Sequence, residues 1–503
     1  MSSDDTASAP AGAWSRLRAW LHAPEAAAGL AVYRVLWGAF MAWESWRYLA
    51  AGWVHKYYVA PSVLFKYFGF EWVHALPGPG MTAVYVVMIV SGVAVALGLA
   101  YRLASAVFFV AHTYAFLLAA ANYLNHAYLI ALLAFVMIFL PAHRTLSVDA
   151  YFNRAQARQT IGQWARMLLI AQLAIVYAYG GIAKLNTDWL YYQQPVRRWM
   201  VGSAKRVRET NWLHWLDGLR ESIAPNATAL PQQAYDLVAS EGFTQFVAYG
   251  GVAFDLLIGP ALLWRRTRPY AALAAAGFHI SNMHLFSIGV FPWLMLAATT
   301  LFFEPDWPRR VPGLGRFVVR LLDGLGRDAK PEPVPTARVQ QRLTGLWVGW
   351  LALQVLIPLR HHLIPGDVAW TEEGHYYAWR MKLRSKKGTV AFRVVDPATG
   401  KTWTVDPKDE LSKRQARKLR GKPELIRQYA NHLVRRYRAE EGLEVDVYVD
   451  AFTSLNYRKA QRYIDPEAEL GHAGSTWGAQ PWVLPMTWTE PPHPSNRPKA
   501  RAR

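Results

Sequence analysis

The 503-residue chain contains no cysteine. This absence excludes disulfides, thiolate catalysis, iron–sulfur clusters and cysteine-based zinc sites. Its first residues, "MSSDDTASAP", are acidic and small, and they lack the charged-then-apolar pattern of a signal peptide. We therefore expect targeting to depend on the first membrane-spanning helix.

Acidic residues are also scarce, with 35 against 55 basic ones, which gives a formal net charge of +20. Such an excess is one feature of nucleic-acid-binding proteins. The basic residues, however, lie in short loops between apolar runs and in the C-terminal third, a distribution that membrane topology explains better. We therefore expect no nucleic-acid partner.

Apolar and aromatic side chains, in contrast, are abundant: 53% of the residues are hydrophobic, with 23 Trp, 25 Tyr and 21 Phe. Since 18% of the residues are nevertheless charged, the composition indicates a membrane part joined to a water-soluble part. A spanning helix needs about 17–25 apolar residues. Nine such runs predict spanning helices at roughly 26–50, 81–101, 103–122, 124–141, 161–184, 242–264, 268–283, 285–303 and 342–360.

The basic loops predict the topology. Arg102 follows the second run, Arg144 the fourth and "RRTR" (265–268) the sixth, so alternating helices put all of them on the side of the N-terminus. By the positive-inside rule the segment 1–25 is cytoplasmic, and the C-terminal part lies in the periplasm of a bacterium whose inner membrane holds the protein. The basic segment 190–240 falls on the outer side, where its Trp, Leu and Arg pattern predicts helices in the membrane interface.

The C-terminal third has a different character. "TVAFRVVDPATGKTWTVDP" predicts a β-hairpin, "LEVDVYVDAF" alternates as a strand does, and two amphipathic helices lie between them. The predicted fold is therefore mainly α: a polytopic helical membrane bundle of about nine spanning helices at 26–363, followed by an α+β extramembrane domain at 364–475. The tail, 476–503, is Pro-rich, basic and expected to be disordered.

Polar and ionisable residues at membrane depth are costly and therefore informative. They occur at four places: Asn125 and His126, Lys184, His279 and Asn282, and His361 and His362. Each has an ordinary structural interpretation, because histidines often cap helices and a lysine can extend its stem to the membrane surface. None of these histidines comes with a His-x-x-Glu or paired-carboxylate spacing, so we predict no metal site.

The lysine follows two glycines at the end of an apolar run. Gly180 and Gly181 permit the close approach of a neighbouring helix or of a ligand. Lys184, if held among apolar walls, would lose its preference for the charged form and could serve as a base; alternatively, it reaches out to the membrane interface. Asn186 and Asp188 are typical of a helix exit and a turn.

All four polar places lie in strings that resemble one family. In chain order the strings are "VYRVLWG" (32–38), "FKYFGFEWV" (65–73), "NHAYLIALLAF" (125–135), "GGIAKLNTDWL" (180–190), "FHISNMHLFSIGVF" (278–291), "PDWPRR" (305–310), "LIPLRHHL" (356–363) and "YIDPEAEL" (463–470). With this set in this order, the chain resembles the vitamin K-dependent gamma-glutamyl carboxylases and their bacterial relatives with an HTTM membrane domain.

The resemblance implies a role for each place. Lys184 matches the base that activates reduced vitamin K, and His126, with Asn125 before it, matches the histidine implicated in handling the glutamyl carbanion. Two further catalytic histidines match His279 and His361. The cofactor-binding candidates are Gly180, Gly181, Asn282 and His284.

The implied chemistry is a vitamin K-dependent γ-carboxylation. The lysine deprotonates vitamin K hydroquinone, or menaquinol in its place, which then reacts with O₂. The strong base that results removes a γ-hydrogen from a glutamyl residue, the carbanion captures CO₂, and vitamin K epoxide is the by-product. Water would quench such a base, so a dry pocket is required. The expected partners are a glutamate-containing protein or peptide and membrane lipid; no oligomeric state is predicted.

The sequence departs from the family pattern shortly after the last apolar run. "WTEEGHYYAW" has Gly374 where the family has a leucine and His375 where it has a tyrosine. The family links this stretch to the glutamate substrate or to catalysis. His375, Tyr376, Tyr377 and Trp379 are therefore the candidate substrate region, and the identity of the substrate is open.

Three functions remain as alternatives. The first is a carboxylase coupled to vitamin K epoxidation. The second is a protein of the same fold that does not carboxylate: a quinol epoxidase or another quinone-dependent membrane oxidoreductase. The altered sequence of the substrate stretch favours this alternative. The third is a non-catalytic quinone-binding membrane protein.

Overall fold

The computed structural model describes residues 12–209, 211–221, 228–286, 289–312, 330–476 and 478–491. Within these residues, a helix occupies each of the nine apolar segments predicted from the sequence: α1 (Ala28–Ala50), α2 (Gly78–Leu97), α3 (Tyr101–Leu117), α4 (Asn125–Phe139), α5 (Trp164–Ile182), α6 (Glu241–Leu263), α7 (Arg268–Phe286), α8 (Phe291–Thr299) and α9 (Ala337–Leu359). Shorter helices lie at Ala13–Leu21, Val148–Phe152, Thr187–Leu190 and Trp307–Arg310. The protein is mainly helical, as predicted.

Length and apolarity qualify four helices of the described residues as candidates to cross a membrane: α2, α5, α6, and α9 with its extension to Leu363. Helix α4 has 15 residues and α8 has 9, which at about 1.5 Å per residue is too short for a core of about 30 Å. Helix α1 is long enough but buries Arg34, whose guanidinium donates to the carbonyls of Ala96 and Ala142 at 3.2 and 3.1 Å. The predicted count of nine spans is thus not confirmed.

Small residues allow the first two helices to pack closely. A Cβ on Gly38 of α1 would lie 2.5 Å from the backbone nitrogen of Ala96 and 2.7 Å from the carbonyl of Gly92 in α2. Close packing of this kind through small residues is usual between membrane helices. The core beside this contact contains Trp37 and Phe108, whose rings meet edge to face with centroids 5.2 Å apart.

The segment between α5 and α6 is helical, as its sequence predicted. It contains Val196–Arg208, Asn211–Glu221 and Leu230–Ala239. The first of these helices buries Val196 and Met200 in a small apolar cluster of its own. Its position in a membrane interface stays a prediction.

The C-terminal domain contains the predicted hairpin, strand and helices. Its elements are β1 (Lys386–Val395), β2 (Thr402–Val405), α10 (Lys413–Leu419), α11 (Pro423–Glu441), β3 (Asp446–Leu455) and β4 (Gln461–Arg462). The strands form one antiparallel sheet in the order β2-β1-β3-β4. Alternate side chains of β1 and β3, including Phe392 and Val449, share a core with Ile426 and Tyr429 of α11.

The first part of the tail is ordered, contrary to expectation. Trp482 is buried in the C-terminal core, and the backbone N–H of Leu484 donates to the carbonyl of Tyr463 at 3.0 Å. Residues 478–491 therefore belong to the packed domain. Composition predicted disorder because the segment is polar and Pro-rich, but one buried apolar side chain is enough to hold it against the core.

The two parts of the chain are joined by polar contacts. Arg458, after β3, forms a double hydrogen bond with Asp188 at 2.5 and 2.8 Å, and Asn456 donates to the same carboxylate at 2.7 Å. On another side, Gln428 of α11 exchanges two hydrogen bonds with the backbone of Lys66, at 2.8 and 3.0 Å. The first contact holds the C-terminal domain against the end of α5, and the second holds it against the segment between α1 and α2.

Candidate active site

Lys184 forms a buried ion pair with an aspartate in the middle of a neighbouring helix. Its Nζ lies 2.5 Å from Oδ2 of Asp255 and 2.9 Å from the carbonyl oxygen of Gly180. Both partners of the ion pair are only 7% exposed. The ring of Trp189 lies 5.4 Å from the ammonium group. The side chain therefore points inward between helices, and the snorkelling interpretation is wrong for this lysine.

The two glycines before the lysine make this geometry possible. A Cβ on Gly181 would lie 2.6 Å from the side chain of Leu256, and one on Gly180 would lie 3.2 Å from Oδ2 of Asp255. Because neither glycine has a side chain, α5 and α6 approach closely enough for Lys184 to reach Asp255. In the structure these glycines serve a helix–helix contact; their predicted contact with a cofactor stays a prediction.

A cavity of about 270 Å³ lies beside the ion pair. Five of the residues predicted from the sequence line it: Asn125, His126, Lys184, His279 and Asn282. They come from α4, the end of α5 and α7, which are far apart in the sequence. The rest of the wall is largely apolar, with Val176, Phe278 and Met295 among its residues. We call this space the bundle cavity.

His279 is held in position by a tyrosine of α5. Its Nε2 lies 2.8 Å from the hydroxyl of Tyr177, and the rings of Phe254 and Phe291 pack edge-on against it with centroids 6.1 and 6.0 Å away. The other ring nitrogen, Nδ1, is buried and has no hydrogen-bond partner among the described residues. Buried polar atoms usually have a hydrogen-bond partner, so this nitrogen can bond to a ligand that enters the cavity.

Asn125 and His126 begin α4 at the opposite wall. The hydroxyl of Tyr123 donates to Oδ1 of Asn125 at 2.9 Å, and the same hydroxyl oxygen accepts the backbone N–H of Tyr377 at 2.9 Å. His126 also lines a second, smaller cavity of about 70 Å³, which includes His112. His126 thus lies between two internal spaces, and Asn125 is linked through one tyrosine to the predicted substrate region.

Asn186 and Asp188 shape the exit from α5. The amide oxygen of Asn186 accepts the backbone N–H of Trp189 at 3.0 Å and so caps the short helix Thr187–Leu190. Asp188 does more than end a turn, because its carboxylate holds Arg458 of the C-terminal domain. The lysine therefore lies between a contact within the bundle and a contact with the domain outside it.

His361 does not line the bundle cavity. Its Nδ1 lies 2.7 Å from the carbonyl oxygen of Pro358, and its ring packs on that of His362 with centroids 4.0 Å apart. A Cβ on Gly374, which has a left-handed φ of +69°, would lie 2.7 Å from Cβ of His361. A leucine, which the family pattern has here, would therefore be strained and would require His361 to shift. The side chain of His284 lies outside the described part of the structure.

The predicted substrate region forms an aromatic wall. Tyr123 and Tyr128 contact Tyr377 with ring centroids 5.8 and 4.8 Å apart, and Trp379, 1% exposed, lies 5.0 Å from Tyr128. His375 is buried, and burial together with the charge of Arg384 holds its pKa well below the usual value, so it is neutral. None of the four predicted substrate residues lines the bundle cavity.

Backbone strain concentrates in the same stretch. Glu372, Tyr377, Trp379 and Lys382 all have positive φ, between +53° and +67°. Conformations of this kind cost about 1–3 kcal/mol each for residues other than glycine. Strain of this density commonly marks a functional site, and here Lys382 lines the bundle cavity together with Met381.

A further cavity, of about 240 Å³, lies on the other side of the aromatic wall, where the C-terminal domain meets the bundle. Tyr376 and Tyr377 line it, together with Lys66, Arg360 and Lys422. We call it the junction cavity. Burial lowers the pKa of Lys422 to about 8, in spite of the charge of Glu372 nearby, and also lowers the pKa of Lys66.

Glu372 is the centre of a buried charge cluster next to the junction cavity. Arg384 donates to it at 2.5 Å and Lys386 lies 3.0 Å from it. Burial by itself would raise the pKa of Glu372, but these two positive charges hold it well below the usual value. The carboxylate is therefore ionised, and two cations of the protein neutralise its charge.

Sequence reasoning missed Asp255 and Tyr177. Asp255 could have been found, because it is a carboxylate within a 23-residue apolar helix, where a charge marks function or a partner. Tyr177 gives no such signal, since tyrosines are common in this chain. One group with metal-ligand geometry, Asp446, Glu469 and His472, lies in the described residues, but it lines none of the three cavities described above.

Two family models match the chain, one after the other. A family model described as the HTTM domain matches residues 22–307, more than half of the 503-residue chain. The bundle thus defines a membrane protein of the HTTM class. A second model, described as "Vitamin K-dependent gamma-carboxylase, lumenal domain", matches residues 339–489. The chain belongs to the vitamin K-dependent gamma-carboxylase family. No solved structure matches it.

Proposed function

We propose that this protein is a membrane-bound γ-carboxylase, which couples the oxygenation of vitamin K hydroquinone to its epoxide with the conversion of protein glutamate to γ-carboxyglutamate. One observation carries the proposal. Five polar residues from distant parts of the sequence line a single cavity of about 270 Å³, in a chain of the carboxylase family. A pocket for a small ligand typically combines apolar walls with a few converging polar groups, as here.

The residues present fit a reduced quinone. The cavity walls are mainly apolar, and the buried Nδ1 of His279 lacks a partner among the described residues. A quinol hydroxyl is a group that can complete this hydrogen bond. When bound, reduced vitamin K reacts with O₂ and supplies a base strong enough to remove a γ-hydrogen, which no side chain could do at neutral pH.

We assign proton removal from the quinol to Lys184 acting with Asp255. An ammonium and a carboxylate 2.5 Å apart form a neutral pair, so burial costs less than it would for either charge alone. Transfer of the shared proton to Asp255 leaves a neutral amine, which can accept a proton from a hydroxyl in the cavity. Asp255 would therefore set how much of the lysine is available as a base.

His279, His126 and Asn125 would act on the negative charge that develops during the reaction. Their side chains line the cavity opposite and beside the lysine, where a hydrogen bond to a developing anion is strongest because water is excluded. Met381 and Lys382, which come from the strained stretch outside the bundle, line the same cavity. We infer that the glutamyl side chain enters beside them and that CO₂ is captured there.

We propose that the C-terminal domain faces the outside of a bacterial inner membrane, with the N-terminus in the cytoplasm. The distribution of basic loops supports this orientation. The contact between Asp188 and Arg458 supports it as well, since it puts the domain next to the end of α5 that carries Lys184. A protein substrate would then reach the cavity from the outer side.

A quinol epoxidase without carboxylation is the second candidate. It is favoured by the position of His361, which does not line the bundle cavity, and by Gly374 and His375 in place of the family residues. This candidate requires the quinol and O₂ but neither the glutamyl residue nor CO₂.

Purified full-length protein, vitamin K hydroquinone, ¹⁴C-bicarbonate and a Glu-containing peptide test the proposal. We expect labelled peptide and epoxide with the wild type and with the exposed-lysine control Lys56→Ala, and a loss of about 10²–10⁴-fold with Lys184→Ala. Epoxide that forms without label, at a rate indifferent to the peptide, favours the second candidate. If neither product forms while an active family member works in parallel, the protein is not this enzyme.

A further inference from the structure

The junction cavity contains positive charges that have no negative partner. Lys66, Arg360 and Lys422 line it, and none of them takes part in an ion pair within the described ranges of the chain. Arg360 instead donates to the carbonyl oxygens of Ile357 and Tyr376, and Nζ of Lys422 to the hydroxyl of Tyr376 at 3.0 Å. All three residues are half-buried. Withdrawing a cation from water without a counter-charge is costly, so the arrangement suits an anion that comes from outside.

Three acidic residues, Glu372, Glu373 and Glu424, also line the cavity, but none of them forms an ion pair with Lys66, Arg360 or Lys422 among the described residues. Glu372 is bound to Arg384 and Lys386. Glu424 accepts from Arg427 at 2.6 Å, and Glu373 accepts the backbone N–H of Gln480 at 2.6 Å. Glu372 and Glu424 are thus neutralised by other cations of the protein. Among the described residues, the cavity is left with three cations that have no carboxylate partner and with one carboxylate, Glu373, that has no cationic partner.

Two buried polar atoms indicate what kind of ligand fits. Tyr67 lines the cavity and is 3% exposed, and its hydroxyl has no hydrogen-bond partner among the described residues. Gln480, 8% exposed, also lines the cavity; its amide nitrogen donates to Glu424 at 3.1 Å, while its amide oxygen has no partner. A hydroxyl can donate to a carboxylate, and an amide oxygen can accept a peptide N–H. Together they favour an acidic peptide over a simple anion.

The reacting glutamate itself does not fit here. Tyr123, Tyr128 and Trp379 pack against one another and against Tyr377, which lines the junction cavity, whereas Lys184 lines the bundle cavity. None of these three aromatic residues lines either cavity. A side chain bound in one cavity is therefore separated from the other by an aromatic wall.

We propose that the junction cavity is a second carboxylate subsite, which binds an acidic side chain of the peptide substrate other than the one that reacts. This inference rests on the proposed function for the identity of the substrate, but its site and its residues are separate from the catalytic ones. Carboxylation adds a negative charge to each residue it modifies, so a γ-carboxyglutamate already formed would bind here more tightly than glutamate does. The subsite would hold a Glu-rich segment in place between successive reactions.

Fluorescence anisotropy tests the subsite directly, with the full-length protein in detergent and no quinol present. The probe is a fluorescein-labelled peptide of six glutamates, and the comparison peptide has five of them replaced by glutamine. We expect the first to bind more tightly, and Lys422→Gln and Lys66→Gln each to weaken it about tenfold, between the values for exposed and buried charge pairs. Lys422→Arg, which keeps the charge, should retain most of the affinity.

Lys418→Gln is the matched control. Burial lowers the pKa of Lys418 to about 8, as it does for Lys422, but Lys418 does not line the cavity. If Lys418→Gln weakens binding as much as Lys422→Gln does, or if neither cavity variant weakens it, the subsite is refuted. Equal binding of the two peptides refutes it too. Displacement of the peptide by phosphatidylglycerol nanodiscs but not by a γ-carboxyglutamate peptide would assign the cavity to a lipid phosphate instead.

These outcomes are independent of catalysis. If the peptide binds through Lys66 and Lys422 but no carboxylation or epoxidation is found, only the proposed function fails. If the peptide with one glutamate is carboxylated but the cavity variants bind the acidic peptide as the wild type does, only the subsite fails.

Discussion

Lys184 in the bundle cavity and the three cations of the junction cavity differ in whether a carboxylate lies beside them. In the bundle cavity, the ammonium of Lys184 has a carboxylate of its own at 2.5 Å. In the junction cavity, Lys66, Arg360 and Lys422 have no carboxylate at ion-pair distance among the described residues. A charge neutralised from within suits proton transfer inside a closed site, whereas cations without a partner suit the binding of an anion from outside.

Removal of Asp255 should have the largest effect. Asp255→Ala leaves a buried amine without its counter-charge, which should cost about 3–5 kcal/mol of stability and reduce epoxide formation along with it. Asp236→Ala, at an exposed site, should cost less than about 0.5 kcal/mol. Thermal unfolding in detergent and epoxide formation across pH are the measurements. An Asp255→Ala protein with wild-type stability and pH profile would show that the lysine does not depend on its partner.

Breaking the contact between domain and bundle should come next. Arg458 forms a double hydrogen bond with Asp188 and its side chain is 1% exposed. Arg458→Met therefore leaves the carboxylate of Asp188 without a counter-charge, although Asn456 still donates to it. We expect a loss of about 2–4 kcal/mol, with reduced turnover because the end of α5 is less well fixed. The double variant Arg458→Met/Asp188→Asn should recover part of the stability. No recovery would mean that the ion pair itself contributes little.

The junction cavity should respond to pH. The pKa of Lys422 is lowered to about 8, mainly by burial, with Glu372 acting against the shift and Arg384 with it. As pH rises through about 8, Lys422 loses its charge, while the glutamates of a bound peptide stay ionised. Lys66, whose pKa is also lowered, faces the same cavity, as do Glu373, Glu424 and the Tyr376 hydroxyl.

The affinity for the six-glutamate peptide should therefore fall several-fold between pH 7 and 9, which anisotropy measures. The decrease should be smaller in Lys422→Gln. An affinity that is constant over this range in the wild type would contradict the role of the lysine.

The smallest effect should be that of the Lys422 charge on the free energy of unfolding. Its sign distinguishes the junction cavity, where a cation has no counter-charge, from the bundle cavity, where it has one. A folded-state pKa below the usual value of 10.5 means that the charged form of Lys422 is less favourable in the folded protein than in the unfolded chain. Stability should thus rise between about pH 8 and 10.5. At pH 7, Lys422→Gln should leave the free energy of unfolding unchanged or raise it by up to about 1 kcal/mol. This figure includes the loss of the hydrogen bond that the lysine makes. A clear decrease in thermal stability would mean that the protein itself supplies a counter-charge to Lys422, as it does to Lys184.

The sequence predicted the elements better than their contacts. Apolar runs and period-two alternation depend on local patterns, so helices and strands were found near their observed positions. The count of nine spans is not confirmed, because α4 and α8 are apolar enough to be predicted as spans but are 15 and 9 residues long. Trp482 shows the converse: one apolar anchor orders a stretch whose composition suggested disorder.

The candidate site was predictable only in part. Lys184, His126 and His279 were found because charge and polarity at membrane depth are rare. That they line one cavity follows from how α4, α5 and α7 pack, which no local pattern encodes. Of the junction cavity, the sequence predicted Tyr376 and Tyr377 as substrate residues. Its cations were missed, because they come from three separate segments, each of which is ordinary by itself.

The ion pair between Asp188 and Arg458 limits how the C-terminal domain can be exchanged between members of this family. Asp188 follows Lys184 by four positions, and its partner belongs to the C-terminal domain, so that domain helps to set the position of the lysine. A chimaera that joins this bundle to the C-terminal domain of another protein would keep Asp188 but lose Arg458. Such an exchange should preserve the position of the lysine only if the new domain supplies an arginine at the same place.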